Sequence, residues 1–228
     1  MTTPARFPFR AIFWDMDGTL IDTEPLWGIA TYELSERLGR RLSTAKREET
    51  IGGSFANTLK VCADWAGVTL VDGDLERHRA WMYQRMGQLL SGDIEPLPGI
   101  AGLLRSLYDE GVVQFVTTNT ERELADYCID AVGRELFTDT ITGDEVPQGK
   151  PAPDMYLEAA RRVGADPVDC LVFEDSWAGM SAAAAAGCRV LGLPGEERPV
   201  PDGVARFDAA NFVGAGAEDV ITWWESIG

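Results

Sequence analysis

Apolar and polar positions along the chain change period twice. The first apolar run, Phe9-Arg10-Ala11-Ile12-Phe13-Trp14, is short and aromatic-rich and stops at Asp15-Met16-Asp17-Gly18-Thr19. It predicts a buried strand ending in a tight turn. From Glu24 to about Ile94 the pattern turns helical and offers no good strand. Leu26–Leu38 closes on Gly39, Phe55–Ala66 follows Ser54 and closes on Gly67, and Leu75–Leu90 is a long stretch with Trp81, Met82 and Met86 on one side. A Ser before the first periodic residue and a Gly after the last are the signs of helix caps.

Pro96-Leu97-Pro98-Gly99 then interrupts the chain, and beyond it strand and helix periods alternate. Val112–Thr117 reads as a β-branched strand, Glu121–Val132 as a helix and Asp139–Thr142 as a short strand. Asp154–Val163, set between Pro153 and Gly164, reads as a helix; Cys170–Phe173 as a strand; Trp177–Ala186 as a helix; Arg189–Leu193 as a strand. The predicted fold is therefore α/β, a Rossmann-like parallel sheet covered by helices on both faces. A helical block interrupts it after the first strand. This places residues 1–22 and 95–228 in the α/β core and residues 23–94 in a helical insert. Inserts at that position become lids over the carboxyl ends of the strands, where open α/β sheets bind ligands. The low-complexity run Ala182–Ala186 reads as a helix packed closely on the sheet.

The 228 residues, 45% hydrophobic and 25% charged, suit one full domain plus a smaller one and need no disulfides to bury a core. The formal net charge of -17 changes the picture more. It disfavours nucleic acid and anionic membrane surfaces as partners. It also requires any phosphate-binding site to reverse the sign locally, with a dication or a lysine. Cys62, Cys128, Cys170 and Cys188 are scattered without a C-x-x-C pair, and His78 is the single histidine. A zinc site is not expected, and buried reduced thiols of a cytoplasmic protein are. No apolar run approaches the ~20 residues that span a bilayer. The run Phe7 to Trp14, short and ending on Asp15, does not read as a secretory signal. Trp223 and Trp224 suggest a terminal helix docked on its own domain, and a monomer or weak homo-oligomer is expected.

Four short segments fall at predicted strand ends. In Asp15-Met16-Asp17-Gly18-Thr19, two carboxylates two residues apart can aim at one point if Gly18 lets the chain turn sharply; an ordinary strand-end turn is the alternative. A calcium loop fails, because its sixth and twelfth positions would be Leu20 and Leu26. Thr117-Thr118-Asn119-Thr120 offers hydroxyls and backbone N–H groups for phosphate oxygens, or a helix cap. In Gly149-Lys150-Pro151-Ala152-Pro153-Asp154, prolines stiffen the turn that aims Lys150, an ammonium suited to a phosphoryl group or simply to solvent. In Phe173-Glu174-Asp175-Ser176, adjacent carboxylates at a buried strand end repel unless a cation or proton sits between them. Oxygen ligands in this number favour Mg²⁺, and an N-cap for the following helix is the plainer reading.

Together these segments resemble the haloacid dehalogenase-like hydrolase superfamily. D-x-D-G-T, the strand-ending Thr, the Lys of G-K-P-x-P-D and the E-D-S-x-x-G segment occur in that family's order, from Phe9 to about Leu193. The helical insert resembles the four-helix cap of one subfamily. Asp22-Thr23-Glu24-Pro25-Leu26-Trp27 is similar to the start of the cap in sugar-phosphate phosphatases of the 2-deoxyglucose-6-phosphatase kind. The resemblance implies that Asp15 is the nucleophile and forms an aspartyl-phosphate, with Asp17 as general acid/base. It implies Mg²⁺ held by Asp15, the backbone carbonyl of Asp17, and Asp175, with Glu174 acting directly or through water. Thr118, the backbone N–H of Asn119, and Lys150 would hold the phosphate, making Lys150 part of the catalytic set. A small phosphorylated metabolite, first of all a sugar phosphate, is the implied substrate class.

The nearest alternative is a phosphosugar mutase like the β-phosphoglucomutases. Those enzymes carry a cap histidine near the position of Trp27 and an arginine near that of Phe55, and neither residue type stands there. Dehalogenases lack the second carboxylate, so Asp17 argues against that reading. Gly52-Gly53-Ser54-Phe55 resembles the substrate-specificity turn of capped relatives. Trp27 and Phe55 are accordingly candidate substrate contacts, or else packed cap residues.

Overall fold

The computed structural model describes residues 6–50, 55–92, 94–195 and 198–227. Gly52, Gly53 and Ser54 lie outside the described residues, so neither the expected specificity turn nor the Ser54 cap is described. The chain divides into two compact units, Met1–Asp22 with Ile94–Gly228, and Thr23–Asp93. The order of elements is β1 (Ala11–Trp14), α1 (Glu24–Arg37), α2 (Thr44–Glu48), α3 (Phe55–Ala66), α4 (Asp74–Leu90), α5 (Ile100–Asp109), β2 (Gln114–Thr117), α6 (Arg122–Val132), β3 (Asp139–Ile141), α7 (Asp154–Val163), β4 (Cys170–Glu174), α8 (Trp177–Ala186), β5 (Arg189–Gly192), β6 (Val204–Arg206) and α9 (Ala217–Ser226), with four short 3₁₀ turns besides.

The first unit is a parallel six-stranded sheet in the order β3-β2-β1-β4-β5-β6. Every residue of β1 is buried, as a central strand covered on both faces requires. Alternation along it feeds two cores. Ala11 and Phe13 face a cluster with Phe115, Ile141, Tyr156, Val172, Met180 and Ala183. Trp14 faces the other way. It stacks on Phe173 at 4.4 Å and meets Phe212 edge-on at 6.1 Å. Such aromatic pairs add ~0.5–1.5 kcal/mol beyond the area they bury. The alanine run of α8 lies against the sheet with Ala182 and Ala183 wholly buried, since only a small side chain admits so close an approach.

Helices α7 and α8 match their sequence-predicted bounds. The periodicity reading gives none of α2, α5 and β6, whereas the terminal helix α9 is expected from Trp223 and Trp224. Helix α5 occupies the stretch before β2 and buries Ile100, Leu103, Leu104 and Leu107. Strand β6 is a three-residue edge, and α9 ends the fold. In α9, Trp224 packs on Phe9 with a ring separation of 5.7 Å, and Trp223 meets Phe207 at 4.8 Å. Both tryptophans thus pack within their own unit.

The second unit is a cap of four helices, α1 to α4. It buries Ala30, Leu34, Leu59, Cys62, Ala63, Met82, Met86 and Leu90. Arg85 grips Glu33 with two bonds of 2.6 and 2.8 Å, tying α4 to α1. Trp81 departs from the expected stripe. It is half-buried under the guanidinium of Arg37 at 4.6 Å, while Met82 and Met86 point inward with His78. At 100° per residue, 81 and 82 cannot share the centre of one face. All four cysteines are buried free thiols. Among the described residues no helix is long and apolar enough to cross a membrane.

Candidate active site

Strands β2, β1 and β4 are neighbours, so their following loops emerge side by side. The chain leaves β1 in one direction to reach β2 and in the other to reach β4, the switch point at which open α/β sheets form a crevice. Asp15 follows β1 and is anchored by its N–H to the carbonyl of Phe173, 3.0 Å away. Thr118 follows β2, its N–H bound to Ile141 O at 3.0 Å. Glu174 ends β4 with no exposed surface, and Asp175 follows it. Lys150 reaches in from the loop before α7.

Lys150 is the hub. Its ammonium donates to Asp15 Oδ1 at 2.6 Å, to Glu174 Oε1 at 2.5 Å and to Thr117 O at 2.9 Å, with its side chain 3% exposed. Burial works against the charge on Lys150, but Asp15 and Glu174 outweigh it and hold the group protonated well above the ordinary lysine range. Glu174 is fully engaged. Oε1 also accepts from Tyr156 Oη at 2.9 Å, and Oε2 accepts from Ser176 N at 3.1 Å and Ser176 Oγ at 3.0 Å. Ser176 in turn caps α8 by accepting from Gly179 N at 2.9 Å. A Cβ on Gly179 would collide with the Glu174 carboxylate.

Asp15, Glu174 and Asp175 bring carboxylate oxygens within 4.8 Å of one another. Two ligands opposite each other on one Mg²⁺ stand about 4.2 Å apart, so the spacing suits a shared small dication. Charge points the same way. Three carboxylates face one ammonium, and burial followed by the Glu174 charge pushes Asp15 well above the usual carboxylate range. The same two causes push Asp175 up to about 7. Without a metal the surplus charge must be neutralised by protons, and a dication takes their place. Gly18 makes the approach possible: its φ is +88°, and a Cβ there would collide with the Asp175 carboxylate.

Within the core unit, Asp17, Thr118 and Asn119 fall around this cluster. Asp17 Oδ2 accepts from Thr120 Oγ1 at 2.7 Å and, at the outer edge of a hydrogen bond, from Thr118 Oγ1 at 3.4 Å. The Asn119 side chain clasps the lysine loop, donating from Nδ2 to Lys150 O at 3.0 Å and accepting from Lys150 N at 2.8 Å on Oδ1. Trp27, in α1, and Phe55, the first residue of α3, belong to the cap unit and are half-buried. Sequence reasoning missed Tyr156, whose hydroxyl is joined to Glu174 from an otherwise ordinary apolar face of α7. It also gave no role to Thr120, although the hydroxyl cluster Thr117-Thr118-Asn119-Thr120 carried the signal.

Three carboxylates gathered about one lysine thus lie at the switch point of a parallel sheet. The sequence model of the haloacid dehalogenase-like hydrolases matches residues 9–187, and the chain belongs to that family. Protein CbbY of Rhodobacter capsulatus is 32% identical over 209 residues, covering 82% of this chain and 86% of that protein. Fructose-1-phosphate phosphatase YqaB of Escherichia coli is 30% identical over 182 residues, covering 78% of this chain and 93% of that one. A crystal structure of a CbbY variant from Rhodobacter sphaeroides, in complex with xylulose-1,5-bisphosphate, superposes with a TM-score of 0.75 at 26% identity, covering 92% of this chain and 98% of that one. Within its family this chain is an enzyme of the phosphatase class.

Proposed function

We propose that this phosphatase hydrolyses a small phosphorylated metabolite, a sugar phosphate first among them, through a Mg²⁺-assisted aspartyl-phosphate on Asp15. The observation that carries the reading is the convergence of Asp15, Glu174 and Asp175 about Lys150. Asp15, Asp175 and the backbone carbonyl of Asp17 are the residues that would hold Mg²⁺, which draws the anionic nucleophile and phosphate together and offsets charge on the phosphoryl oxygens. Glu174, with both oxygens engaged by four donors, acts by its charge and by holding Lys150.

An oxygen of Asp15 attacks phosphorus, the bond from phosphorus to the ester oxygen breaks, and Asp17 gives its proton to the departing alkoxide. Water then attacks the phosphorus of the acyl phosphate. Asp17 takes the proton, inorganic phosphate leaves and Asp15 is restored. Thr118, the Asn119 backbone N–H and Lys150 hold the other oxygens; the Asn119 side chain is already committed to the lysine loop. The substrate class follows the relatives: YqaB is a fructose-1-phosphate phosphatase, and the CbbY variant was crystallised with xylulose-1,5-bisphosphate.

The test is p-nitrophenyl phosphate hydrolysis with and without EDTA, for the wild type and for Asp15→Asn. Release that needs metal and Asp15 is expected. Metal-independent release, or an undiminished Asp15→Asn protein free of deamidation, overturns the reading. A panel of phosphorylated metabolites then ranks substrates, and interconversion of sugar phosphates without release would favour the mutase alternative.

A further inference from the structure

Thr120 sits beyond the residues assigned to phosphate, and its bonds are those of a part that connects two others. Its N–H donates to Thr118 Oγ1 at 3.0 Å, its own Oγ1 donates to Asp17 Oδ2 at 2.7 Å, and its carbonyl accepts from Gly143 N at 3.3 Å. The backbone is pinned from behind as well, because a Cβ on Gly143 would collide with the Asn119 carbonyl. The two contacts of Thr120 divide work between two neighbouring hydroxyls. With a lone pair of Thr118 taken by the Thr120 N–H, the Thr118 hydroxyl hydrogen must find an acceptor. Asp17 at 3.4 Å is a poor one, while Thr120 reaches it at 2.7 Å. Thr118 is thereby left to donate to a phosphate oxygen, and Asp17 takes its orientation from Thr120.

We infer that Thr120 is a positioning residue for the acid/base Asp17: its hydroxyl holds that carboxylate in register with the phosphate grip of Thr118. The inference rests on the acid/base role proposed for Asp17. A misplacement of ~1 Å at such a group can cost ~10²-fold in rate, whereas binding of the phosphate through Thr118 and Lys150 is left alone. Proton transfer is needed twice, and the two steps can be separated. p-Nitrophenolate leaves without an acid, so the first step with p-nitrophenyl phosphate tolerates a misaligned Asp17, but hydrolysis of the acyl phosphate does not.

The experiment compares Thr120→Val, Thr120→Ser and Asp17→Asn with the wild type, using stopped-flow and steady-state release from p-nitrophenyl phosphate at saturating Mg²⁺. Thr120→Val keeps the shape and the backbone N–H. It is expected to give a burst of one p-nitrophenolate per site followed by turnover lowered about 10- to 100-fold, with KM changed less than about threefold. Thr120→Ser, which keeps the hydroxyl, should recover to within a fewfold of wild type. Wild-type turnover in Thr120→Val, a change in KM alone, or equal impairment of Thr120→Ser overturns the positioning role. If Asp17→Asn itself turns over like wild type, the acid/base reading falls first; if only Asp17→Asn is impaired, that reading stands and the role of Thr120 is refuted.

Discussion

Lys150→Met removes the cation at the centre of the site while keeping most of its volume, and its consequences can be worked from the distances. The ammonium lies 2.6 Å from an oxygen of Asp15 and 2.5 Å from one of Glu174, with almost no solvent access. Breaking a buried pair by removing one partner costs ~3–5 kcal/mol, because the remaining charge stays buried and uncompensated. With a urea dependence of ~2 kcal/mol per M for a domain of this size, the unfolding midpoint should fall by ~1.5–2.5 M at pH 8 in the presence of EDTA.

The loss should depend on pH. Asp15 already titrates above its ordinary range because of burial and Glu174, with Lys150 opposing the rise. A carboxyl raised in this way binds a proton in the folded state that the unfolded chain has released. Stability therefore falls as pH climbs from the unfolded carboxylate range toward the folded one. Removing Lys150 steepens that fall, so the gap between variant and wild type should be smaller at pH 5 than at pH 8, with the Glu174 share of the loss persisting at both. Urea unfolding followed by circular dichroism at both pH values measures it. Equal midpoints at pH 8, or a gap that does not change between pH 5 and pH 8, would refute the view that Lys150 offsets the buried carboxylates.

Three further outcomes follow from the same geometry. Gly18→Ala forces a Cβ into a left-handed conformation against Asp175; it should cost ~1–2 kcal/mol of stability in thermal melts and, more tellingly, most of the turnover. Asp175, pushed up to about 7, must lose its proton to receive a cation. Mg²⁺ affinity measured by calorimetry should therefore rise between pH 6 and pH 8 with proton release, and a flat profile would count against Asp175 as a ligand. Because the net charge of -17 repels a phosphate dianion at long range, kcat/KM at fixed saturating Mg²⁺ should rise as NaCl goes from ~0.02 to ~0.2 M, and a decline would show that the local field attracts substrate from afar.

The parts of the fold that were legible are those in which local chemistry and tertiary position agree. Helix α7 runs between Pro153 and Gly164, and α8 between Ser176 and Gly187, so the bounds of each are written at its ends. The site was legible because parallel strands bring their carboxyl ends together, which turns four remote segments into one place. Helix α5 carries its apolar residues at 100, 103, 104 and 107, an ordinary helical stripe, but the preceding Pro98-Gly99 reads as a turn and hid it among loop signals. Strand β6 has three residues, half exposed, and no alternation to detect. The bonds from Thr120 to Asp17 and from Tyr156 to Glu174 join positions 103 and 18 residues apart. No period records such pairings, since they depend on how loops close and not on which face of an element is apolar.

Glu174 shows how the acidic character of the chain and its phosphate chemistry are reconciled. The resemblance implied Asp175 as a ligand and left Glu174 to act directly or through water. The structure makes them unequal. Glu174 ends β4, wholly buried, and spends its lone pairs on Lys150, Tyr156 and two donors of Ser176. Asp175 stands one step outside, against Gly18 and near Asp15. An ionised carboxylate offers about four acceptor positions, and four donors fill those of Glu174. Its negative charge remains, fixed beneath the site, and it keeps Lys150 both charged and aimed. Asp15 and Asp175 are then left with more negative charge than the lysine can neutralise, a condition that a dication relieves and a second fixed cation would abolish. On the proposed function, a chain with 37 acidic and 20 basic residues would thus meet a phosphate with one lysine and a dication held by a pair of aspartates, the sign of the site being set by what it binds and not by its surface.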